Sequence, residues 1–72
     1  MKAESKEEKF RRVASRRTVK VLETLRLLGN CSNKGNYSYT DADVNKIFNE
    51  IIKEVKRSRT LFEKSNKHKF SL

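Results

Sequence analysis

Proline and tryptophan are absent from this chain, glycine occurs twice and cysteine once. Each scarcity removes a class of structure. With one cysteine there is no internal disulfide, so a stapled secreted mini-protein is excluded. The longest uninterrupted apolar runs are pairs such as Val13-Ala14, Leu27-Leu28 and Ile51-Ile52, far short of a membrane span. The opening MKAESKEEK has no apolar stretch of the kind that directs export, so no signal peptide is expected. At 72 residues the chain is too short for two domains or for a sheltered catalytic pocket. It has instead a strong charge excess: 18 Lys plus Arg against 9 Asp plus Glu, a formal net charge of +9.

Without proline, and with glycine only at positions 29 and 35, two long segments can each run as helix. The first starts at Ser5, which is followed three residues later by Glu8. At that spacing the serine oxygen and the glutamate carboxylate each satisfy a free backbone donor of the first turn. Glu4, Glu7 and Glu8 also suit the positive end of the helix dipole. Phe10, Ala14, Val21, Leu25 and Leu28 then recur on one stripe, with Arg17 and Thr18 in its gap. Gly29 and Asn30 tolerate a left-handed conformation, which predicts the helix end. The first helix is expected over about residues 5–28.

The connection, residues 29–40, is rich in Asn, Ser and Gly, all turn formers. Thr40 and Asp43 repeat the capping-box spacing, and Tyr39 is placed to staple on Val44. After them Val44, Ile47, Phe48, Ile51, Ile52, Val55 and Phe62 form a wide apolar stripe, with Lys46, Asn49, Lys53 and Arg57 facing away. The second helix is expected over about 41–64. Residues 67–72 carry no pattern and are expected to be a flexible tail after a single domain over 1–66.

Two amphipathic helices and a short connection predict an all-α fold, an antiparallel two-helix hairpin. Its stripes are broad: Leu22, Val19 and Leu27 lie off the centre of the first, and Ile47 and Ile52 flank the second. A hairpin of this size also buries little by itself. A homodimer packed as a four-helix bundle is therefore expected. The competing layout is a ribbon-helix-helix protein with KFRRVAS as its strand. There the alternation fails at Arg11-Arg12, the connection is long, and the Ser5–Glu8 cap argues for helix.

The charge is unevenly spread. Residues 1–29 hold nine basic and four acidic groups, and between positions 9 and 20 there are six basic residues and no acid. Lys9, Arg12, Arg16 and Lys20 fall within about 80° of one another on a helical wheel, opposite the apolar stripe. A solvated face with i,i+4 ion pairs accounts for Glu7–Arg11 and Glu8–Arg12. It leaves Arg16, Arg17 and Lys20 uncompensated, and arginine forks suit phosphate oxygens. The candidate nucleic-acid contacts are thus Lys9, Arg12, Arg16, Arg17 and Lys20, joined by Lys34 in the connection, with DNA favoured over RNA. Base readout has little support, because both helix starts are acidic and would repel phosphate. Asn30, Asn33, Asn36 and Tyr37 offer amide and stacking groups, but ordinary turn chemistry and a tyrosine packed on the hairpin are the expected explanation.

Other chemistry is thin. His68 is the lone histidine and is far in sequence from Cys31, so neither a metal site nor an activated nucleophile is indicated, and no cofactor is expected. An enzyme is not expected. A basic amphipathic helix could also lie on an anionic membrane, but tryptophan is absent and the second stripe can cover the first. An adaptor that binds an acidic partner protein is the alternative function. The stretches RLLGNCSN (26–33) and YTDADVNKIF (39–48) resemble small uncharacterised basic proteins carried by plasmids, integrative elements and phages of Gram-positive bacteria. That resemblance implies a cytoplasmic bacterial setting and a mobile-element context, and no binding residues.

Overall fold

The computed structural model of the protein describes residues 3–66. Two helices make up the architecture: α1, Lys6–Gly29, and α2, Asp41–Asn66, with a short 3-10 turn at Asn30–Ser32. No strand occurs among the described residues, so the segment 9–15 is helix and the ribbon-helix-helix layout falls. The chain divides between Ser38 and Tyr39 into two units, one carrying each helix.

In the first unit α1 begins where the cap chemistry predicts. Ser5 has extended backbone, φ −72° and ψ 163°. Its Oγ accepts from the Glu8 N–H at 3.0 Å, and its own N–H donates to Glu8 Oε1 at 3.0 Å. The Ser5 carbonyl takes the first helical bond, from Lys9 N–H at 2.9 Å. Two orphan donors and one carbonyl are thereby satisfied within five residues. Thr18 and Thr24 turn their hydroxyls onto the carbonyls of Ala14 and Lys20, at 2.7 and 2.8 Å. Thr18 can therefore sit in the gap of the apolar stripe without an unsatisfied polar group.

The end of α1 departs from the sequence expectation. No described residue has positive φ. Gly29 lies at φ −59°, ψ −30° and Asn30 at φ −66°, ψ −18°, both right-handed. In place of a left-handed glycine cap, the last turn tightens. The Asn30 N–H reaches the carbonyls of Arg26 and Leu27, and Asn33 N–H closes on Asn30 O at 3.4 Å. A narrowing into 3-10 geometry satisfies terminal carbonyls without a special conformer. Asn33 then leaves in extended backbone at ψ 103°. Its carbonyl accepts from Asn36 and Tyr37 N–H at 3.1 and 3.0 Å, and its Oδ1 from Gly35 N–H at 2.9 Å. Asn33 thus takes part in three of the turn's hydrogen bonds as acceptor.

In the second unit, Thr40 Oγ1 accepts from Asp43 N–H at 3.1 Å, while Thr40 N–H donates to Asp43 Oδ2 at 3.0 Å. Tyr39 and Val44 are both half-buried. Helix α2 continues to Asn66, two residues beyond the expected end at 64. The reason is that Ser65 and Asn66 are poor formers but not breakers, and one added hydrogen bond per residue carries a helix on. The expected tail over 67–72, with His68, lies outside the described residues.

No described residue is buried. Val13, Ala14 and Leu28 are half-buried along α1, as are Val44 and Ile51 along α2. The remaining stripe residues stay open, with Phe10 57%, Leu27 65% and Phe62 58% exposed. A single helix has no second surface on which to bury its own stripe, so within each unit propensity, caps and local ion pairs supply the order.

The right-handed Gly29 yields a test. A Cβ added there meets nothing within 4 Å, and alanine is a better helix former than glycine by about 0.8–1 kcal/mol. Gly29→Ala is expected to raise helicity and stability by about 0.5–1 kcal/mol, read by circular dichroism during urea or thermal melting. A left-handed cap would give a loss instead.

Candidate nucleic-acid interface

The basic face is built by the register that Ser5 starts. At about 100° per residue, Lys9, Arg12, Arg16 and Lys20 come to one side of α1, and Phe10, Val21, Leu25 and Leu28 to the other. All four cations are exposed. From Lys9 to Lys20 the row extends about 16 Å along the axis, at about 1.5 Å per residue. Lys9, Arg16 and Lys20 make no ion pair among the described residues. Glu23, three residues beyond Lys20, ends the row.

Two sequence candidates stand apart from this face. Arg17 is seven residues after Phe10 and four before Val21, so helical spacing puts it on the apolar stripe. It is exposed there and without an ion pair among the described residues. Lys34 lies in the turn after α1 and not on its face.

The acids near the row are arranged differently from the expectation. Glu7 pairs with Arg11 as expected, Oε1 to Nη2 at 2.7 Å. Glu8 does not pair with Arg12, because its carboxylate is committed to the Ser5 N–H. Arg12 turns instead to Glu4, eight residues back. Its Nε donates to Oε2 at 2.9 Å and its Nη2 to Oε1 at 3.0 Å, a two-pronged contact. Sequence reasoning missed Glu4 as this partner. The signal was present in the capping box, which removes Glu8 from the supply of acids.

The local electrostatics follow these contacts. The Arg12 hydrogen bonds hold the Glu4 carboxyl below the usual glutamate range, and Arg12 is pushed up in turn by Glu4. Glu8 is lowered by the Ser5 backbone N–H, with the Ser5 side chain adding to it. On α2, the Glu54–Arg57 pair at 2.6 Å lowers Glu54 and raises Arg57, so that cation is neutralised locally.

Both helix N-termini are closed by their own side chains and carry Glu7 and Glu8, or Asp41 and Asp43, in the first turn. Neither end can take an anion by its free amides. Among the described residues no group of three or more His, Cys, Asp and Glu could hold a metal ion, and Cys31 is a free, exposed thiol in the 3-10 turn. No helix among the described residues is long and apolar enough to cross a membrane. The chain matches no protein-family model, no curated protein and no solved structure.

The lowered carboxyls set a pH response. A glutamate whose folded value lies below its unfolded value contributes stability that is fully present above the unfolded value, about 4.3. The contribution is lost as pH falls through the folded value. Helicity is therefore expected to hold at neutral pH and to fall on acidification below about pH 4. Carboxyl NMR titrations should place Glu4 and Glu8 below the ordinary glutamate midpoint. Stability that rises on acidification would contradict the assignment.

Proposed function

We propose that this chain binds nucleic acid, DNA in preference to RNA, through backbone phosphates along one side of α1, with low sequence specificity. The observation that carries the reading is the row of Lys9, Arg16 and Lys20, exposed and without ion pairs among the described residues, with Arg12 between them. Neutralising phosphates with such a row releases counterions, and that release drives sequence-independent binding. Arg17 and Lys34 lie outside the row and would contribute only on a second surface. The protein would act as an accessory or regulatory factor, not a catalyst, in the bacterial cytoplasm that the resemblance implies.

The exposed stripes of α1 and α2 support the remainder of the proposal. Faces of this breadth require apolar cover. In the proposed assembly the two helices fold back as an antiparallel hairpin, and two hairpins pair as a four-helix bundle. The α1 basic face, opposite the stripe, would then remain open to solvent in each copy.

Two measurements test this. Binding to random-sequence duplex DNA should weaken linearly in log K against log salt, with a slope of about −0.9 for each phosphate contacted. Replacing Arg12, Arg16 and Lys20 together by alanine should flatten the slope by about 1.8–2.7, with helicity kept because alanine is a strong helix former. Undetectable binding at low salt, or binding that survives the triple change, overturns the reading. Capture of an acidic protein, lost with the same triple change, would favour the adaptor. Light scattering should give twice the 8.5 kDa chain mass, and a monomer mass at micromolar concentration would remove the bundle.

A further inference from the structure

Of the four cations on the α1 face, Arg12 is the one already held by a carboxylate. Both Glu4 oxygens lie against the same edge of its guanidinium, at 2.9 and 3.0 Å. A phosphate would present two oxygens to that same fork. We infer that Glu4 is an intramolecular phosphate mimic, which occupies Arg12 in the free protein and is displaced when α1 takes up nucleic acid. The inference rests on the phosphate-binding reading of α1 and concerns how that site is regulated.

Two features suit Glu4 to this role. It precedes the Ser5 cap, in backbone outside α1, so its release breaks none of the Ser5–Glu8 bonds that start the helix. The contact also covers Arg12 more than an ordinary surface pair does: the Arg12 and Glu4 side chains are 47% and 36% exposed, against 73% and 72% for Arg11 and Glu7. The pair nevertheless remains in contact with solvent, and exposed ion pairs are weak. A dense phosphate array can therefore displace it. The mask lowers affinity without abolishing binding, and leaves Lys9, Arg16 and Lys20 to make the first encounter.

The test is a double-mutant cycle on the full chain, with duplex affinity measured across salt for Glu4→Gln, Arg12→Ala and the double variant. Glu63→Gln, on α2, controls for the change in net charge. Glu4→Gln is expected to tighten binding about two- to five-fold and to steepen the salt slope by up to about 0.9. In the Arg12→Ala background it should do no more than the control. If Glu4→Gln matches Glu63→Gln in both backgrounds, the effect is one of net charge, and the mask is overturned while DNA binding stands. If Glu4→Gln weakens binding, Glu4 orients Arg12 instead of masking it, and the inference again falls. If neither the unaltered chain nor Glu4→Gln binds duplex at low salt, the phosphate reading itself has failed and the mask goes with it.

Discussion

The first backbone N–H groups of an α-helix have no partner within the helix, and this chain meets that need at both helices with the same device. Ser5 and Glu8 exchange hydrogen bonds, as do Thr40 and Asp43. The starting residue of α1 sets the register of everything after it. Lys9, Arg12, Arg16 and Lys20 share a side because helical order is already in place at Lys6. The cap also takes Glu8 out of competition for cations, and Arg12 therefore turns to Glu4. One local exchange thus shapes the helix, the basic face and the charge pairing on that face.

Charge balance along α1 follows from which acids remain available. Glu7 neutralises Arg11 and Glu4 neutralises Arg12, both near the start of the helix. Beyond them the positive charge has no local counterpart until Glu23. The basic row is consequently interrupted, held at Arg12 and open at Lys9 and from Arg16 to Lys20. Counting net charge alone describes a uniformly cationic protein, and the hydrogen bonds show where the excess is available. Acidic first turns on both helices place negative charge at the two N-terminal ends, away from the basic row.

Much of the fold was legible in the sequence. Both caps, both helix starts and the segregation of Phe10, Val21, Leu25 and Leu28 from the basic row follow from spacing alone. The exclusion of Arg17 from that row was legible as well, since its seven-residue distance from Phe10 puts it on the stripe. Lys34 was read as an addition to the site, and the turn set by Asn33 places it beyond the helix. The i,i+4 rule failed at Glu8–Arg12, where Glu8 Oε1 is engaged by the Ser5 N–H and the Arg12 fork takes both oxygens of Glu4. That rule treats pairs singly, whereas the side chains compete.

By itself the sequence determined the all-α class, the two amphipathic helices and the side of α1 on which cations gather. These depend on periodicity and on local cap chemistry, which act over three or four residues. The three-dimensional structure decided how α1 ends and which acid holds Arg12. Gly29 permits a left-handed turn but does not require one, and here the carbonyls of the last turn are met by tightening into 3-10 geometry. The Glu4–Arg12 contact spans eight residues, two turns of helix, and no short-range pattern specifies it. It forms where Glu4, just before the Ser5 cap, offers both carboxylate oxygens to Arg12 while Glu8 Oε1 is held by the Ser5 N–H.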